Sequence, residues 1–107
     1  RMLTAGGQKS GQSNVVDYIT IANTGNATDF GDLEFVTNYS SGVSNSTRAV
    51  FTGFNNTGAP GADGDFGNCP QINYFTIAST GNYTTFGELT SRRYGLAGIS
   101  NGHGGLS

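Results

Sequence analysis

Tryptophan is absent from this chain, cysteine, histidine and methionine occur once each, and proline occurs twice. Each scarcity removes a class of protein. A single cysteine, Cys69, builds neither an internal disulfide nor a cysteine-ligated zinc site. Its expected role is that of a small, semi-buried apolar residue. The only histidine, His103, lies in Asn101-Gly102-His103-Gly104-Gly105, without the positioned partner and nucleophile that general-base chemistry needs. No Gly-x-Ser-x-Gly elbow accompanies it, so the chain reads as non-enzymatic and in need of no cofactor. Charge is scarce too, at 11% of residues with a net of -2, and the five Lys and Arg are scattered. No basic stripe exists to neutralise phosphates, which argues against a nucleic-acid partner. No run approaches the roughly 18 apolar residues of a membrane-spanning helix, and no membrane insertion is expected.

What is present is glycine, 18 of 107 residues, with abundant Asn, Thr and Ser, and an apolar fraction drawn mainly from Ile, Val, Phe and Tyr. Branched and aromatic side chains suit a pleated surface, and Gly and Asn suit tight turns. The composition predicts an all-β chain of short strands, and the length limits it to a single domain over 1–107.

The chain also repeats. Val16-Asp17-Tyr18-Ile19-Thr20-Ile21-Ala22 matches Ile72-Asn73-Tyr74-Phe75-Thr76-Ile77-Ala78 at a separation of 56 residues. The match runs on through Phe30-Gly31-Asp32-Leu33 against Phe86-Gly87-Glu88-Leu89, and through Gly42-Val43-Ser44-Asn45 against Gly98-Ile99-Ser100-Asn101. Upstream, residues 1–7 match 48–54 at a separation of 47, so the second copy carries nine extra residues between Phe54 and Gln71, in a Gly-, Pro- and Asp-rich surface loop. Repeat one spans 1–47, repeat two 48–103, and a third unit begins over 104–107. Strands are expected around 40–44, 48–53, 71–78 and 86–89. The Thr24-Gly25-Asn26 and Thr80-Gly81-Asn82 triplets are expected as turns, because Gly and Asn tolerate positive φ.

These motifs resemble the kelch family of propeller blades. The likeness lies in the paired glycine Gly6-Gly7, a Tyr on the third strand (Tyr18, Tyr74), the Phe-Gly-[Asp/Glu]-Leu fourth strand, and the basic pair Arg92-Arg93. They are more closely similar to the Gly-, Asn- and Thr-rich repeats of structural proteins in tailed-phage virions, those of cyanophages in particular. The resemblance implies two kelch-like four-stranded antiparallel blades, one split between the termini, forming part of a propeller or a repeating fibre. Residues 1–37 then supply three strands of one blade and residues 38–91 a complete one. It also implies a virion or extracellular location. The partners implied are copies of the chain in a strand-exchanged oligomer or filament, or neighbouring repeats of a longer chain, with loops free to meet glycans of a host surface. Residues 94–107 are expected to pair with residues near the start of a neighbouring copy, since fewer than about three repeats seldom stand alone.

Candidate ligand groups are few. Asp63, Asp65 and Asn68 space oxygen atoms as some calcium loops do, although Asp-Gly pairs are ordinary turn formers. Tyr39, Tyr83 and Tyr94, set among Asn and Thr, offer a sugar-stacking surface of the kind an oligomeric propeller lectin uses. The competing expectation for them is ordinary sheet packing. Asn26, Asn38, Asn45, Asn55 and Asn82 each open an Asn-x-Ser/Thr triplet, which matters only in a secreted eukaryotic protein. Asp32 and Glu88 match between copies and read as strand ends, not as a glycosidase pair.

Overall fold

A computed structural model of the chain describes residues 1–8, 10–56, 67–93 and 95–100. Seven strands and no helix occur among the described residues, and they form two antiparallel sheets. β1 (Met2–Ala5), β2 (Ser13–Ile19) and β3 (Thr28–Thr37) make a three-stranded meander. β4 (Ser41–Ser44), β5 (Arg48–Thr52), β6 (Gln71–Thr76) and β7 (Thr84–Glu88) make a four-stranded one. Within each sheet every strand pairs antiparallel with its successor, and the chain passes from one sheet to the other between β3 and β4.

The two sequence copies fold to one ladder. Leu3 stands opposite Tyr18 as Val50 stands opposite Tyr74. Val16 stands opposite Gly31 as Ile72 stands opposite Gly87, and a register shift follows immediately in both, at Val16/Asp17 and at Ile72/Asn73. β1 and β5 are each followed by a glycine in the left-handed region, Gly6 with φ 71° and Gly53 with φ 78°, a conformation that costs other residues steric strain. The bridge Gln8↔Gln12 recurs as Asn55↔Asn68. The nine additional residues are therefore accommodated beyond a shared loop base, closed in the second copy by Asn56 N to Gly67 O and Cys69 N to Phe54 O.

Three expectations need correction. The turns fall earlier than Thr24-Gly25-Asn26 and Thr80-Gly81-Asn82: Asn23 N donates to Thr20 O and Ser79 N to Thr76 O. The ladders run out there, since Met2 is opposite Ile19 and Arg48 opposite Thr76, and a chain without a partner turns back. β3 runs ten residues, well past Leu33, because its far end is bonded by Gly7 N at Thr37 O and by Asn56 Nδ2 at Val36 O. Cys69 is fully buried, its thiol against Gly67 O, and not half-exposed. The sequence-repeat boundary at 47/48 falls between β4 and β5, and the sheets hold three strands within 1–37 and four within 38–91, the division expected from sequence. The expected third unit at 104–107 lies outside the described residues.

One apolar core serves both sheets. Val16, Phe30 and Leu33 come from the first, and Ala49, Phe51, Phe54, Cys69 and Phe75 from the second or its loop base. Tyr18, Phe30, Phe75 and Phe51 form an edge-to-face chain with centroids 5.8, 5.8 and 5.9 Å apart, the arrangement the ring quadrupoles prefer.

Candidate functional site

The joint between the sheets is the most specifically built feature of the molecule. β3 is an edge strand, and its unpaired backbone groups are a template for more main chain. The connection leading into β7 occupies that edge: Gly81 N donates to Phe30 O at 2.8 Å and Tyr83 N to Asp32 O at 3.0 Å. Between them, the Asn82 side-chain oxygen accepts from Asp32 N at 3.1 Å. A Cβ on Gly31 would overlap the Gly81 carbonyl, so the close approach depends on glycine. Deeper in, the buried Asn73 amide accepts from Glu34 N at 3.1 Å and donates to Glu34 Oε2 at 2.9 Å. Both functions of a buried amide are thereby satisfied. Arg1 reaches across to Ile77 O while its guanidinium lies 4.4 Å from the Tyr18 ring centroid.

The second sheet carries the same surface without a cover. Arg48 lies 4.5 Å over Tyr74 as Arg1 does over Tyr18, and Tyr74 packs edge-on to Phe86 as Tyr18 does to Phe30. Phe30 is 3% exposed and Phe86 is 56% exposed. Beyond β2, Ile21, the counterpart of the half-buried Ile77, is 70% exposed. β7 is a sheet edge, as β3 is within the first sheet.

The segment after β7 returns to the second sheet. Ser40 Oγ donates to Ala5 O where the chain leaves the first sheet. Leu96, 56 residues on, lies against Gly53, the counterpart of Gly6, and Ser100 Oγ donates to Ser44 O. Residues 97–100, which correspond to β4 in sequence, thus run beside β4 at the β4 edge of the second sheet.

The residues singled out from sequence are dispersed. Tyr39 is 47% exposed just beyond β3, whereas Tyr83 is half-buried against the core at the sheet joint. Tyr94 lies outside the described residues. Asp63 and Asp65 do too, and Asn68, the third oxygen donor of that set, is half-buried with a side-chain oxygen that has no hydrogen-bond partner among the described residues. Among the described residues no group of three or more His, Cys, Asp or Glu side chains converges. Asn26 and Asn82 are exposed, Asn82 being committed to β3. Asn38 links Gln8 and Gln12, and Asn55 N is bound to Thr37 Oγ1. Asn45 accepts from Thr47 N and Arg48 N and closes the β4–β5 turn. Asp32 is half-buried at the joint, whereas Glu88 is exposed.

Sequence reasoning missed the two Arg–Tyr stacks and the Asn73–Glu34 exchange. The stacks had a signal, Arg1 and Arg48 at matched positions in both copies. The exchange had none, because Asp17 and Thr90 hold the matching positions. No protein-family model matches the chain, and no curated protein is significantly similar to it.

Proposed function

We propose that this chain is a non-enzymatic structural repeat module, made of kelch-like blades that stack on further copies, in a virion appendage or extracellular fibre. The observation that carries this reading is the contrast between Phe30 and Phe86, one motif with one set of neighbours in its own sheet, buried where a second sheet stacks and bare where none does. A bare aromatic above an unpaired strand edge marks an interaction surface. Residues 97–100 beside β4 supply further support, as the opening strand of a sheet whose other strands come from elsewhere. Connections between strands are then free for contact with a host surface.

The test is the mass of the native particle by light scattering, with electron micrographs. Rings or fibres of many copies are expected, and a monodisperse monomer overturns the reading. Discrete trimers that bind on a glycan array transfer it to a carbohydrate-binding propeller.

A further inference from the structure

We infer that two copies of this chain join head to tail, the β7 edge of one receiving residues 21–27 of the next in the register in which β3 receives residues 77–83. This rests on the stacking proposed above and specifies its contacts. The molecule already makes the joint once, and each of its two open sides is one half of that joint. On one side stand Phe86, Gly87 and Glu88 of edge strand β7 with Arg48 beside them. On the other stand Ile21 and the segment Thr24-Gly25-Asn26-Ala27, exposed throughout.

The matched positions give an explicit bonding scheme. Gly25 N donates to Phe86 O as Gly81 N does to Phe30 O, and Ala27 N donates to Glu88 O as Tyr83 N does to Asp32 O. Asn26 accepts from Glu88 N as Asn82 does from Asp32 N. Arg48 reaches Ile21 O as Arg1 reaches Ile77 O. Where the internal joint has Glu34 and Asn73, the joint between copies has Thr90 and Asp17, and the Thr90 amide and hydroxyl are donors for the Asp17 carboxylate. Main-chain addition to an open edge supplies affinity, and the side chains that flank it supply selectivity for this sequence. Because the two halves are different surfaces, the contact is heterologous and propagates into a ring or a filament.

Gly87 makes the joint testable without disturbing the subunit. A Cβ there meets nothing within 4 Å in its own chain, and Gly87 is not among the glycines with positive φ. In the joint the same Cβ meets the Gly25 carbonyl of the next copy. Sedimentation velocity over a concentration series, on the full chain, Gly87→Ala, Ile21→Arg and an equimolar mixture of the two variants, decides the matter. The unaltered chain is expected to grow beyond two copies. Each variant is expected to weaken association by about tenfold or more, with an unchanged circular dichroism spectrum. The mixture is expected to recover a complex of two copies, since each variant keeps the half that the other has lost. Assembly indifferent to both substitutions, or a mixture no larger than its components, overturns this joint and leaves stacking itself standing. A chain that stays monomeric at every concentration overturns both.

Discussion

Gly31 and Gly87 hold the same place in the two sheets, yet a methyl group has opposite consequences at them. At Gly31 it meets the Gly81 backbone, which cannot swing aside as a side-chain tip can. Gly31→Ala is therefore expected to destabilise the fold by about 1–3 kcal/mol, the usual range for overpacking. A thermal melt followed by circular dichroism checks it, with the midpoint falling by roughly 4–8 °C for each kcal/mol. Asn73 offers a second case. It is 0% exposed and bonded twice to Glu34, so Asn73→Ala leaves Glu34 N without its acceptor in a desolvated place. A loss of about 1–3 kcal/mol in urea unfolding is expected, against at most about 0.5 kcal/mol for Thr85→Ala on the exposed face. A glycine inside the strand at 31 and at 87 reads in the sequence as room for close backbone approach, which the structure shows at Gly31 and not within the chain at Gly87. The Asn73 effect was not legible, because Asn73 reads as one polar residue in an apolar strand until the other sheet is brought against it.

At the scale of the element, much was legible, because a hairpin is determined by neighbours along the chain. The expected strands at 40–44 and 48–53 appear as β4 and β5, and those at 71–78 and 86–89 appear as β6 and β7 with shifted ends. The ends moved because a strand stops where its partner stops, which no single segment records. The insertion before β6 lies between Asn55 and Asn68, twelve residues where Gln8 and Gln12 enclose three. Cutting it to the shorter length is expected to keep the fold and raise stability by about 1.2 kcal/mol, two halvings of a closed loop. Chemical denaturation with an unchanged m-value checks both parts.

Across the whole molecule, the two sheets share one core and are expected to unfold as one. Phe75 touches Phe30 of the first sheet and Phe51 of its own. Phe75→Ala is expected to cost about 3–5 kcal/mol and to lower a single transition, seen alike by tyrosine fluorescence and by far-ultraviolet circular dichroism. Two separated transitions would show that the sheets are independent. The sequence by itself determined the class of fold, the repeat and the strand order, since these follow from side-chain type, turn chemistry and self-similarity along the chain. The tertiary structure alone decided which copy of each repeated residue is covered. Burial depends on what lies across a gap in space, and two identical motifs such as Tyr18 with Phe30 and Tyr74 with Phe86 differ only in whether another sheet has arrived there.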